Sequence, residues 1–285
     1  MRVELKYGRH GLAVTVPDAA TVLSPNEAPG LPDEAGALRE ALQHPIGTVP
    51  LREAVRPDDS VVIVFSDITR PMPNDRVLPV LLAELAAAGL PREQITLLNA
   101  TGTHRANTPA ELAEMLGPDV AGNYRVEQHN AFRREDHVDV GVTPYGRRAL
   151  VDRIYHQASF KIVTGFIEPH IFAGFSGGPK GLLPGVAGID SIMGNHSFGM
   201  LDHERATWGQ TAGNPTWEEM SAFARLDPPD LLLNVTLNSA REITGVFCGE
   251  LWRAHERGVA FVRQTAMVPV EAPFDVVLVT NSGYP

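Results

Sequence analysis

The stretch that most constrains the fold is residues 58–104, where two apolar runs flank one amphipathic segment. "DDSVVIVFSD" is a short apolar run between polar residues, "NDRVLPVLLAELAAAGLP" has helical spacing and closes on Gly89 and Pro91, and "QITLLNATGTH" is a second apolar run. Strand, helix, strand predicts a parallel βαβ unit, because a crossover segment must carry the chain back before a second parallel strand can start. Downstream, Thr108, Pro109 and Glu111 in "NTPAELAEMLG" predict a capping box with proline at the first helical position. That places the loop "ATGTHRAN" between a strand end and a helix start.

The same periodicities predict helices at "LPDEAGALREALQHP", "NPTWEEMSAFARL" and "ELWRAHERGVAFVRQTA", and strands at "FKIVTG", "LLLNVTL", "EITGVFC" and "FDVVLVT". At the start, "MRVELKYGRHGLAVTV" alternates around a "GRHG" turn and reads as a β-hairpin rather than a signal peptide. The expected class is α/β: a mostly parallel sheet with flanking helices, built of Rossmann-like βαβ units and preceded by an N-terminal β-hairpin.

Composition narrows the function. A formal net charge of −10 over 285 residues, with no Lys/Arg run interleaved with aromatics, argues against nucleic acid as a partner. No uninterrupted apolar run approaches membrane length, so no membrane partner is expected. The single cysteine, Cys248, allows no internal disulfide and reads as a small buried thiol. A reducing, cytoplasmic setting is the expectation that follows.

In open α/β sheets ligands bind beyond the carboxyl ends of the strands, where three loops here carry polar clusters. In "SDITRP", Arg70 could grip a carboxylate or phosphate and Asp67 could accept hydrogen bonds, or the two could simply pair and hold the turn. In "TGTHR", Thr101 and Thr103 flank a glycine that permits a sharp turn, and His104 could act as acid or base or merely face water. The third loop, "GFIEPHIFAGFSGGPKGLLPGVAG", offers His170, then Gly177 and Gly178, whose backbone N–H groups could converge on an anion while Lys180 reaches over it. It is not a P-loop, because Gly181 follows the lysine where Ser or Thr is required. His196, in "GIDSIMGNHSFG", could ligate a metal, yet the spaced zinc signatures are absent and a metal held by protein ligands alone is not expected.

In this order and spacing, "SDITRP", "TGTHR", "GFIEPHIFAGFSGGPKGLLPGVAG" and "GNHS", with "NSGYP" at the end, resemble the nickel-pincer-dependent lactate racemase family. The resemblance implies a nickel-pincer nucleotide cofactor, a pyridinium mononucleotide thiocarboxylated twice, with Lys180 as its covalent attachment and His196 completing the nickel coordination. It further implies His104 and His170 as an acid/base pair, Arg70 as binder of the substrate carboxylate, and Asp67 near the cofactor ribose. Thr101, Thr103, Gly177 and Gly178 would border the cofactor. The implied activity is racemisation or epimerisation of a 2-hydroxy acid by hydride transfer, with cofactor-synthesis enzymes as partners.

Family members continue past "NSGYP" into a second domain. Residues 1–270 are therefore expected to form the cofactor-binding and catalytic domain, and residues 271–285 the start of a second, truncated, substrate-closing one. Two other readings stay open: a metal-dependent hydrolase or lyase using His104 and His170, and a non-catalytic cofactor-binding fragment.

Overall fold

A computed structural model describes residues 1–8 and 10–280 of the chain. Strands β1 (Arg2–Leu5) and β2 (Leu12–Thr15) pair antiparallel as the expected hairpin. The central sheet takes β3 (Val61–Ser66), β4 (Ile95–Ala100) and β5 (Arg125–Gln128). After a separate antiparallel hairpin, β6 (His137–Val142) with β7 (Arg148–Asp152), the chain enters β8 (Phe160–Phe166). Two-residue strands β9 (Pro169–His170) and β10 (Gly174–Phe175) follow, and β11 (Leu231–Leu237) and β12 (Ile243–Gly249) return to the sheet. Its order is β12-β11-β8-β3-β4-β5.

Neighbours from β11 through β5 run parallel, and β12 alone is antiparallel. The reason lies in the connection: residues 238–242 are too few for a crossover, so β12 must turn straight back.

Alternation along β3 explains the two layers. Val61, Ile63 and Phe65 face Leu38 and Leu42 of the helix Glu34–Gln43 and Val77 and Leu81 of the helix Asn74–Ala87. Val62 and Val64 face the opposite way, toward Tyr155, Met220, Phe223 and Ala254. These last come from the helices Arg153–Gln157, Pro215–Leu226 and Leu251–Thr265. Each such aliphatic side chain buried stabilises the fold by about 1.5–3 kcal/mol, so both faces of the sheet carry core. Cys248 is part of it, buried, with burial pushing its thiol up to about 12.

Two expectations need correction. The segment 165–188 is not wholly irregular: it completes β8, forms the β9–β10 pair, and makes a 3-10 turn at Gly178–Gly181. The apolar run "FDVVLVT" forms no strand over its residues 274–280. Among the described residues no strand pairs with it, and Val276 and Val279 remain 86% and 80% exposed. The motif "NSGYP" lies outside the described residues. Among the described residues, no helix is long and apolar enough to cross a membrane.

Candidate active site

The chain goes from β3 to one side of the sheet and later to the other, so the strand order reverses between β3 and β8. A crevice at the carboxyl ends of strands is expected at such a reversal. A cleft of about 420 Å³ lies there, and all ten residues singled out in the sequence line it: Asp67, Arg70, Thr101, Thr103, His104, His170, Gly177, Gly178, Lys180 and His196.

Asp67 follows β3 directly and is buried. The local Asp67–Arg70 pair does not form. Instead the Asp67 carboxylate accepts from the Thr69 hydroxyl at 2.9 Å and meets His104 Nδ1 at 2.7 Å. Freed from Asp67, Arg70 is exposed, donates only to the Thr69 carbonyl and hydroxyl, and has no carboxylate partner among the described residues.

His104 sits on the loop after β4, with 43% of its side chain exposed. A carboxylate facing Nδ1 holds the proton there, which leaves the Nε2 lone pair free. The loop is pinned just beyond: the Thr108 capping box forms as expected, and its Glu111 also clamps Arg105 through two hydrogen bonds of 2.8 and 2.6 Å. The Arg105 guanidinium and the Thr108 N–H together hold the Glu111 carboxyl down to about 2. The Thr101 hydroxyl donates to the His129 carbonyl at 2.8 Å, whereas Thr103 is exposed.

His170 is held the opposite way. Its Nδ1 accepts from two backbone N–H groups, those of Phe172 at 3.2 Å and Ala173 at 3.1 Å. An Nδ1 facing two donors cannot carry a proton, so the neutral ring has its hydrogen on Nε2. Burial, followed by the nearby charges of Lys180 and Arg70, draws this histidine down to about 3. It is neutral across the physiological range.

Lys180 emerges from the 3-10 turn, and burial, reinforced by the Arg70 charge, lowers its amine to about 8. His196 caps the short helix Ile189–Asn195. Its Nδ1 lies 3.3 Å from the Ile192 carbonyl, a contact that leaves Nε2 unengaged, and burial lowers its pKa. Among the described residues, no three His, Cys, Asp or Glu side chains come together as a metal site.

The glycines before Lys180 serve packing as much as any anion. Gly177 and Gly178 have φ of +76° and +55°, and a Cβ on Gly178 would lie 2.6 Å from the His255 ring. The Gly178 N–H is taken, donating to Asn234 Oδ1 at 2.8 Å. His255 Nε2 in turn lies 2.9 Å from the Ser176 carbonyl, and its ring stacks on Trp217 with centroids 4.9 Å apart. Complete burial draws His255 down to about 4. Sequence reasoning passed over both supports: His255 stands in a charged helical segment, and the one signal for Asn234 was a polar residue inside the apolar run "LLLNVTL". It also passed over the apolar walls Ile171, Phe172 and Met193, which have no motif.

A doubly layered α/β domain with two oppositely held histidines, an unpaired arginine and a low-pKa lysine in its switch-point crevice has the design of an enzyme's ligand-binding domain. The chain belongs to the lactate racemase family: residues 7–209 match the lactate racemase N-terminal domain. It is 35% identical over 252 residues to the lactate racemase of Lactiplantibacillus plantarum, covering 88% of this chain and 59% of that one. To the lactate racemase of Thermoanaerobacterium thermosaccharolyticum it is 33% identical, covering 99% of this chain and 67% of the other. The solved lactate racemase apoprotein of the latter organism superposes with a TM-score of 0.91 at 32% identity, over 100% of this chain and 67% of that one. A solved protein of Thermotoga maritima, 23% identical over 85% of this chain and 62% of its own, shares the fold with a TM-score of 0.71. The chain thus spans 59% and 67% of the two curated relatives.

Proposed function

We propose that this domain holds a nickel-pincer pyridinium mononucleotide on Lys180 and His196 and serves the racemisation of a small 2-hydroxy acid, lactate being the substrate named for its relatives. One observation carries the reading: six chemically capable side chains from separated loops, Asp67, Arg70, His104, His170, Lys180 and His196, converge on a single cleft.

The residues suit the cofactor. A lysine amine lowered to about 8 has roughly a tenth of its population uncharged at pH 7, far more than an unperturbed lysine, and attachment through nitrogen requires that free amine. An imidazole whose Nδ1 is held by a carbonyl presents Nε2 as a soft-to-borderline ligand fit for nickel, with the remaining ligands brought by the cofactor itself. When bound, that group supplies an electrophilic centre able to accept and return a hydride.

The chain's own side chains do the rest. Removing the Cα proton of a hydroxy acid is beyond a base of pKa ~6.5, whereas removing its hydroxyl proton while hydride departs is not. His104, with Asp67 holding Nδ1, offers Nε2 to take the hydroxyl proton. His170 offers an Nε2–H toward the substrate oxygen on the other side. Arg70 is free to bind the substrate carboxylate as a fork, and Ile171, Phe172 and Met193 supply apolar walls that limit water.

The test is the intact mass of the chain produced together with cofactor-synthesis enzymes, alone and as Lys180→Arg. An adduct with nickel on the parent and none on the variant is expected. An unmodified parent with zinc or magnesium bound would favour the hydrolase or lyase reading.

A further inference from the structure

Asp67 and His104 stand on different loops, one after β3 and one after β4, so their 2.7 Å contact lasts only while the two loops keep their spacing. A buried chain of amides sets that spacing. Asn99, wholly buried near the end of β4 and in register with Phe65 of β3, donates from Nδ2 to the Phe65 carbonyl at 3.4 Å. Its Oδ1 accepts from Asn107 Nδ2 at 2.5 Å, and Asn107 Oδ1 accepts from the Ile68 backbone N–H at 3.4 Å. Each amide thus meets a donor with its oxygen and an acceptor with its nitrogen, which fixes the orientation of both.

The chain of bonds begins at Phe65 and ends at Ile68, so it brackets Asp67. It passes through Asn107, three residues beyond His104 on the other loop. The backbone of Asn107 is held as well: its N–H donates to Gln128 Oε1 at 2.6 Å and its carbonyl accepts from Gln128 Nε2 at 3.0 Å, on β5. All four polar groups of this buried residue are engaged, and it lies behind the lining of the cleft. Apolar contacts tolerate sliding, whereas paired amides lose their bonds when either partner shifts.

We infer that Asn107 is a positioning residue for the Asp67–His104 pair, holding the two loops at the spacing where the carboxylate reaches Nδ1. Its effect on turnover rests on the reading of His104 as a base, proposed above, and its effect on the ring does not.

The test is Asn107→Ala, with Thr108→Ala as control. The control removes the neighbouring side chain, which caps the next helix by accepting from the Glu111 N–H, so it costs stability and spares the amide chain. Nitrogen NMR of the histidines is read on the chain without cofactor at pH 8. Parent and control should show the His104 proton fixed on Nδ1, whereas in Asn107→Ala the two ring nitrogens should move toward a common shift as the tautomers exchange. In the cofactor-loaded protein kcat should fall about 10- to 100-fold in Asn107→Ala and stay near the parent's in the control. If Asn107→Ala does not fold, hydrogen exchange on the parent decides. An Ile68 N–H as protected as those of β4 is expected, and exchange at the rate of an open loop would overturn the inference. So would a folded Asn107→Ala that keeps the parent's tautomer, whatever its turnover. A loaded parent that does not racemise, with the tautomer change present, would overturn the proposed function and leave the positioning role standing.

Discussion

The two walls of the cleft hold their histidines in opposite ways. On one, His104 is half exposed, its Nδ1 faces a buried carboxylate, and Asp67 is itself steadied by Thr69. On the other, His170 is half-buried and its Nδ1 receives two backbone N–H groups, with Lys180 and Arg70 adding positive charge nearby. A carboxylate behind a ring makes the front nitrogen a base, and N–H groups behind a ring make it a donor. The difference teaches that two residues of one type, both lining one cleft, need not share a role. For His170 to act as a base it must give up two backbone hydrogen bonds, which His104 need not do.

The comparison can be broken by glutamine, which keeps an N–H donor but is no base. In the cofactor-loaded protein, His104→Gln is expected to lower racemisation by about 10²–10⁴-fold, the usual loss on removing a general base. His170→Gln, which preserves the donor, is expected to lose distinctly less. Equal losses measured by chiral assay would remove the asymmetry.

A second effect belongs to the buried wall. With its amine at about 8 instead of 10.5, Lys180 has on the order of 10² times more free amine at pH 8 than an unperturbed lysine. The rate of Lys180 acetylation, followed by peptide mass spectrometry, should therefore reach half its maximum near pH 8. Labelling of Lys180 only above pH 10 would remove the burial argument.

Acid lability should come from the same side. The unfolded chain protonates His170 and His255 near 6.5, while the folded one resists until about 3 and about 4. Between those values the unfolded state binds more protons, so stability is complete above pH 6.5 and declines as pH falls toward 4. For His255 alone the decline is on the order of 3 kcal/mol. Urea midpoints at pH 7, 5.5 and 4.5 would reveal it, and a flat series would contradict it.

The smallest effect sharpens the exposed wall. Thr69→Val removes the hydrogen bond to Asp67, worth about 1 kcal/mol, together with the exposed one the hydroxyl accepts from Arg70, and leaves the Asp67–His104 contact. A few-fold loss in turnover with an unchanged fold is expected, and a loss as deep as that of His104→Gln would mean that Thr69 meets the substrate itself.

Most of the scaffold was legible because strands such as "VVIVFS" and "LLLNVTL" are apolar runs between polar ends, and because Thr108 and Glu111 announce a helix start. Strand β5, "RVEQ", was not, since three of its four residues are polar and its place at the sheet edge asks for no apolar face. The run at 274–280 was misread because apolar alternation signals a strand only where another strand is present to receive it. In the site, the loops were legible from their place after strands. The second layer was not: His255 lies 79 residues from the Ser176 carbonyl it meets, and Asn234 56 residues from Gly178. Nor could sequence alone say what stands behind each imidazole, since Asp67 had an equally near candidate partner in Arg70.

The most direct test of the opposed histidines is nitrogen NMR of the chain with ¹⁵N-labelled histidine, at pH 7 and without cofactor, assigned through His104→Gln and His170→Gln. The account predicts that His104 carries its proton on Nδ1 with a pyridine-like Nε2, and that His170 carries its proton on Nε2 with a pyridine-like Nδ1 and stays neutral down to pH 5. Finding both rings in the same tautomer, or His170 protonated on both nitrogens at pH 6, would contradict it.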